Sequence, residues 1–309
     1  MLHLTPASHM PWPVLSPFRM RPGLARLAAH EARSSDTPAL FLRDAQAGAY
    51  ATHKQAVLQQ HRERGLIGEA DPAVLRAIAE AHAAQTGIAL APEAEALARG
   101  MQEDFVILHD EPEMAPQPGF ARPPEGVPSP LGRPGERLAM RARFLSVCFP
   151  SNWNPAEKHG LDFAAIHAPV ADNALLQAGG KGIIDMAFRQ APMLRHVWRL
   201  TANGDLPQHP ETRRTRWEDA VAQADARGER LIDQVFFRVE RQTTLPLPAL
   251  RRGVFFIRVL VCPLVDVLRV MPGRAAQLAE ALASMSDAVV AYRGMAAVRP
   301  RLLDELART

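Results

Sequence analysis

Two strand-like runs, 234–245 (QVFFRVERQTTL) and 253–262 (GVFFIRVLVC), are separated only by the turn-like LPLPALRR. Both are rich in β-branched and aromatic residues. A spacer that short joins antiparallel neighbours; a parallel pair needs a crossover of a dozen residues or more. The reading is therefore a hairpin with a longish loop, and an α+β chain rather than a doubly wound parallel sheet. Period-2 alternation puts Arg238, Glu240 and Gln242 on one face of the first run and Phe237, Val239 and Arg241 on the other. That polar face either lies half in solvent or lines a pocket. In the second run Arg258 stands between Phe256 and Leu260 in an otherwise apolar stretch. A guanidinium there calls for a carboxylate, either from the protein or from a ligand.

At 309 residues and 47% hydrophobic content the chain can bury a large core without staples. The net charge of +3 and the absence of a long Lys/Arg run argue against a nucleic-acid partner. Two cysteines, Cys148 and Cys262, and no CxxC pair exclude a disulfide framework, a zinc ribbon and an iron–sulfur cluster held by this chain alone. The first 25 residues lack a basic start followed by an apolar run, which reads as no signal peptide. No stretch of 18 apolar residues is present, so no membrane span is expected. Together these features point to the cytoplasm.

Residues 1–23 are proline-rich and read as an extended strap over the surface. Helices are expected at 53–65 and 72–84, with a third short one after Pro92. In the second, Leu75, Ile78, Ala79 and His82 share a face, Asp71 is placed as N-cap, and Gly87 can end the helix. Residues 1–110 thus read as an N-terminal helical region. The segment 111–135 holds eight prolines and four glycines and reads as a loop and boundary. In the region 136–309, a strand is expected at 137–149. Helices are expected at 172–190 (interrupted near Gly179, Gly180 and Gly182), at 213–230, at 274–292 and after Pro300.

No phosphate loop, dinucleotide fingerprint, nucleophile elbow or zincin motif is present. The glycine-rich stretch 178–182 does not lead from a strand into a helix start, as phosphate sites require. His159 and His167 lie eight apart, outside the usual zinc spacings. His167 is either a packed histidine or a ligand; Ile166 and Ala168-Pro169-Val170 give it the apolar collar that a porphyrin iron needs around an axial imidazole. Cys262, before Pro263, reads as a haem thiolate or as a small buried hydrophobe.

Two blocks resemble a known family. Phe149-Pro150-Ser151-Asn152-Trp153, then Glu157-Lys158-His159-Gly160, then Ile166-His167-Ala168-Pro169-Val170 is similar to the "PSxW…EKxG…IHxPV" pattern of the haem-dependent oxidative N-demethylase alpha subunits. Arg238 to Pro246, with Phe255-Phe256-Ile257-Arg258 and Pro263-Leu264, resembles its "RxERQTLxxLP…FxIR…PL" pattern. Weaker echoes are Pro17-Phe18 with Met20 and Gly23-Leu24, Gln102-Glu103-Asp104-Phe105, and Arg195 with Trp198 as an "RxxW" element. The resemblance implies a PAS-like antiparallel sheet cradling haem b in the region 136–309. It implies a small methylated amine and O2 as substrates, and separate flavin and iron–sulfur reductase subunits as partners. His167 would be the axial iron ligand, Arg241 and Arg258 would meet the cofactor, and Glu240 and Arg238 would serve catalysis. Arg258 is expected to pair with a haem propionate or with Glu240. Family members often carry polar or tyrosyl residues just after the "IR" pair, where Val259, Leu260 and Cys262 stand here. Two other readings stay open: a haem-binding PAS-like sensor or carrier without turnover, and a structural protein that has lost the haem.

Overall fold

The computed structural model describes residues 4–27, 39–112 and 138–309. From residue 113 onward, the proline-rich segment expected at 111–135 lies outside them. Among the described residues seven strands form one antiparallel sheet in the order β1-β5-β6-β7-β3-β4-β2. The central hairpin is as expected, with β6 (Phe236–Leu247) paired to β7 (Arg252–Pro263) along their whole length. A short 3-10 turn at Pro248–Leu250 and Arg251, at φ 53°, close the loop. The strand expected at 137–149 is β4 (Leu138–Ser146).

Two long strands escaped the sequence reading. β3 (Asp104–Pro112) lies between β7 and β4, and β5 (Met193–Thr201) lies on the other side of β6. The short strands β1 (Ala25–Arg26) and β2 (Leu66–Gly68) form the edges. The sheet therefore draws strands from both sides of segment 113–137.

Register divides the sheet into two faces. Across β6 and β7, Phe237 meets Cys262, Val239 meets Leu260, Arg241 meets Arg258 and Thr243 meets Phe256. These residues share the first face with Leu194, His196, Trp198 and Leu200 of β5. At one end α2 (Pro72–Thr86) and α3 (Ala94–Gly100) pack there, placing Val74, Ile78 and Leu97 against Phe105, Ile107, Val254 and Phe256. Asp71 caps α2 by accepting from Ala73 N at 3.0 Å, and Gly87 ends it at φ 72°. At the other end α7 (Leu264–Arg269), α8 (Arg274–Ala283), α9 (Asp287–Tyr292) and α10 (Arg299–Leu306) pack on Trp198, Phe237, Val239 and Leu260. The single helix expected at 274–292 is thus two, because Ser286 caps α9 by accepting from Val289 N at 3.2 Å. The N-terminal strap crosses this end, with Trp12 stacked on Phe237 at 5.1 Å between centroids. α6 (Trp217–Arg227) also packs here through Ala220.

The second face carries Arg238, Glu240 and Gln242 of β6, Arg195, Val197 and Arg199 of β5, and Ile257, Val259 and Val261 of β7. Towards β3 and β4 it is covered by α4 (Phe163–His167), α5 (Ala174–Asp185) and the π-turn Met186–Gln190, while Ile257, Val259 and Val261 pack against Tyr50, Leu58, Phe149 and Leu206. The glycines do not interrupt α5. Gly180 instead admits Phe163 of α4, since a Cβ there would sit 3.2 Å from that ring. Gly253 likewise makes room for Phe188.

α1 (Ala47–Gly65) closes the molecule beside β3, with a kink at His61. Its Lys54 is fully buried and pairs with the equally buried Asp104 at 3.0 Å. Asp104 also accepts from Phe149 N at 2.8 Å, so one carboxylate ties α1, β3 and the 149–154 loop together. Removing it strands a buried ammonium. Asp104→Ala is expected to cost about 3–5 kcal/mol, far more than an exposed Asp→Ala change; a urea midpoint within experimental error of wild type would refute this role.

Candidate functional site

The second face places three of the motif residues near one another. α4 starts at Asp162, whose side chain accepts from Ala165 N at 2.9 Å and whose backbone bridges Arg141 of β4. This fixes α4 over the sheet and puts His167 at its C-terminus. The His167 Nδ1 lies 2.8 Å from the Phe163 carbonyl. A carbonyl only accepts, so Nδ1 carries the proton and Nε2 keeps its lone pair. The Phe163 ring lies against the imidazole at 4.1 Å between centroids. Burial pushes the His167 pKa below the ordinary histidine value, and the charges of Arg195 and Lys158 add to the effect. His167 is therefore neutral at pH 7 and presents one fixed donor nitrogen.

Glu240 stands directly across from Val197 of β5 and is half-buried. Its Oε2 accepts from Gln242 Nε2 at 2.7 Å, and Oε1 has no hydrogen bond among the described residues. Arg195 and Arg199 flank Val197 on the same face, and the Glu240 charge acts on both. These two arginines, with Glu240 between them, are the group the sequence reading did not assemble. Arg195 was visible as part of an "RxxW" element, but the strand that gives it a face was not.

Arg238 is fully buried on the same face. Its Nε donates to Ser151 Oγ at 2.8 Å, Nη1 to the Asp205 carbonyl at 3.0 Å, and Nη2 to the Phe149 and Leu206 carbonyls at 3.1 and 2.9 Å. Burial lowers its pKa to about 10, which leaves it charged at pH 7. One guanidinium thus staples two loops, 149–151 and 205–206, onto β6. Arg199 adds a bond to the Ser151 carbonyl, and Arg214 holds Asn152 Oδ1.

Arg241 and Arg258 point the other way, to the first face. Arg241 donates to the Leu40 and Ala39 carbonyls at 3.1 and 2.6 Å, and Thr243 Oγ1 also donates to Leu40 O. Arg258 is fully buried, stacks 3.7 Å over the Tyr50 ring and donates to Asp44 Oδ2 at 2.9 Å. Its expected pairing with Glu240 is thereby corrected. The β6–β7 register sets Glu240 against Val259 on one face and Arg258 against Arg241 on the other, so a sheet separates the two. The carboxylate that Arg258 requires is Asp44. Desolvation opposes ionisation of Asp44, but the Gln102 amide and the Arg258 charge together hold its pKa below the usual value. Nothing in the sequence marks Asp44 as the partner; it lies 214 residues away.

Both cysteines are free and buried, and burial pushes each thiol up to about 12. Cys262 sits on the first face among the C-terminal helices, as a small hydrophobe. Among the described residues no group of three or more His, Cys, Asp and Glu side chains could hold a metal ion. His167 offers a single imidazole, the donor set of an iron that brings its other ligands with it.

The model of one protein family, described as haem-dependent oxidative N-demethylase, alpha subunit-like, matches residues 82–303. The chain belongs to that family. The match includes His167, β5, the central hairpin and both loops that Arg238 holds. Asp44 and Tyr50, which hold Arg258, lie outside it, so that arginine is completed by residues the family match does not reach. No curated protein matches the chain at a significant level.

Five histidines, His82, His109, His167, His196 and His209, have pKa values lowered by burial, His196 to about 4 beside Arg241. Below the ordinary histidine value of about 6.5 the unfolded chain binds more protons than the folded one. Stability is therefore expected to fall as pH drops from 7 towards 4, and His196→Gln should flatten part of that slope. Urea midpoints measured across this range check the sign; a protein that gains stability on acidification contradicts it.

Proposed function

We propose that this chain is the haem-binding subunit of a multi-component oxygenase that demethylates a small amine oxidatively. Electrons would come from separate flavin and iron–sulfur reductase subunits, in keeping with an alpha-subunit-like family. Free, buried cysteines suit a reducing compartment such as the cytoplasm, and no helix among the described residues is long and apolar enough to cross a membrane.

The observation that carries this reading is the His167 imidazole. Its Nδ1 hydrogen bond to Phe163 sets the tautomer and ring orientation in the way a metal-ligating histidine is held. The layer above the sheet fits a flat apolar group. α4 buries none of its residues, and in α5 only Leu176 and Ile183 are buried. Ile166 and Ile184 remain partly exposed beside the second face. Ile166 and Ile184 would meet the face of an apolar disc held by His167. His167 would hold haem b through Nε2, with β6 and β7 as the floor of a PAS-like cradle. When bound, the haem supplies the O2-binding iron and its redox chemistry.

Glu240 supplies what an amine substrate needs. Gln242 holds one carboxylate oxygen, and the other can accept an ammonium proton or return one. Arg238 acts through position: its bonds to the 149–151 and 205–206 loops hold the wall of the site around Glu240. Arg241 and Arg258, on the opposite face, support the floor from behind by fixing segment 39–44.

His167→Ala is expected to lose most of the haem or to shift its Soret band, read by absorption and haem content of the purified protein. An unchanged spectrum removes His167 from the iron. Glu240→Gln should keep the haem spectrum and lose amine-induced spectral shifts and reductase-dependent amine loss. Full turnover in that variant removes the anchor role, and haem binding without turnover in the wild type assigns the chain to the carrier or sensor class.

A further inference from the structure

The motif residues do not account for the positive charge of the second face. Arg195 has no hydrogen-bond or ion-pair partner among the described residues, and its Nε is sealed from solvent. Arg199 gives Nη1 to Ser151, but its Nε is sealed and unpaired as well. Arg195, Arg199 and Arg238 all feel the Glu240 carboxylate, while Arg214 and Arg293 add to the positive field at Arg199. Arg238 has its donors engaged; the other two do not. A sealed N–H without an acceptor is unfavourable because its desolvation is not offset, and an anion lying against Arg195 and Arg199 would supply the acceptor that this strand face lacks.

We infer that Arg195 and Arg199 form a carboxylate-binding site on the second face, beside His167, for a carboxylate carried on an apolar body. This rests on the reading of that face as the cofactor and substrate pocket. The planar fork of arginine matches a carboxylate in bidentate fashion. Val197 between the two arginines and Val259 across from Glu240 make the surroundings apolar. Glu240 opposes a dianion, and the glycine-rich stretch 178–182 lies inside α5 rather than forming a loop of free backbone N–H groups, so a phosphate fits less well than a monoanion. A bare alkylammonium would meet the Arg195 and Arg199 charges beside Glu240. The same chemistry has two sources: a propionate of the porphyrin, or the carboxylate of an amine substrate of the N-methyl amino acid class, its ammonium turned to Glu240.

Arg195→Met, which keeps length and removes charge, separates these. Iron-free protoporphyrin IX and its dimethyl ester are titrated by fluorescence, and N-methylglycine and dimethylamine by thermal shift. If a propionate is bound, esterification and Arg195→Met each weaken porphyrin binding by roughly 10-fold or more. The two effects do not add. If the substrate carboxylate is bound, porphyrin binding ignores both changes. N-methylglycine then stabilises the wild type but not the variant, while dimethylamine treats them alike. In either case the unliganded Arg195→Met protein melts higher than wild type, because an orphaned charge is gone. Lower stability of the unliganded variant, or porphyrin and N-methylglycine binding that are both independent of Arg195, overturns the inference. Iron-free porphyrin does not need His167, so these results stand apart from failure of the iron-ligand reading, which haemin binding to His167→Ala reports.

Discussion

The central hairpin is held by buried guanidiniums that point in opposite directions from adjacent positions. Arg238 faces one side of the sheet and binds oxygen acceptors in two loops. Arg241 and Arg258, paired across the strands, face the other side and bind segment 39–44. Each would be costly to bury alone. Their acceptors are mostly backbone carbonyls, which irregular loops leave unpaired. The arginines thus satisfy loop backbone that water would otherwise have to reach, and the loops in turn make arginine burial possible. The sheet can therefore carry irregular segments on both faces without a solvated interior.

This arrangement divides labour between the faces. The first is closed by helices, by the strap at residues 4–27 and by the Asp44–Arg258–Tyr50 stack. The second is covered in part by α4 and α5, which bury few residues of their own, and it carries Arg195, Arg199 and Glu240 with donors or acceptors left open. Packing density is what a closed face needs; fixed donors with open valences are what a binding face needs. The single imidazole with a set tautomer, the half-bonded Glu240, Arg195 and the partly bonded Arg199 all belong to the second face.

The family resemblance was legible because its blocks are short and contiguous: residues 149–170 and 238–264 hold their motif residues close in sequence. The hairpin was legible for the same reason, since the alternation and the short spacer are local. β5 was not. Its Arg195 and Arg199 stand four apart, a helical spacing, and its strand period becomes plain only when Leu194, His196, Trp198 and Leu200 are seen to pack on one side. β3 was read only as a motif remnant at 102–105, because its apolar run is short and leads into the proline-rich segment. Helix ends followed their caps where the cap residue was strong, at Asp71 and Gly87, and failed at Ser286, where no proline or glycine marked the break.

The sequence by itself determined the antiparallel hairpin, the α+β class, the family blocks and the sharing of one strand face by Arg238, Glu240 and Gln242. All of these are set by periodicity over a few residues. Tertiary structure decided the partners. It gave Arg258 to Asp44 rather than Glu240, turned Arg238 into a loop staple, and brought Arg195 and Arg199 beside Glu240 and His167. The physical reason is register and chain crossing. Which face a residue occupies follows from alternation, but what it meets there depends on segments tens to hundreds of residues away, whose approach is set by the packing of the whole sheet.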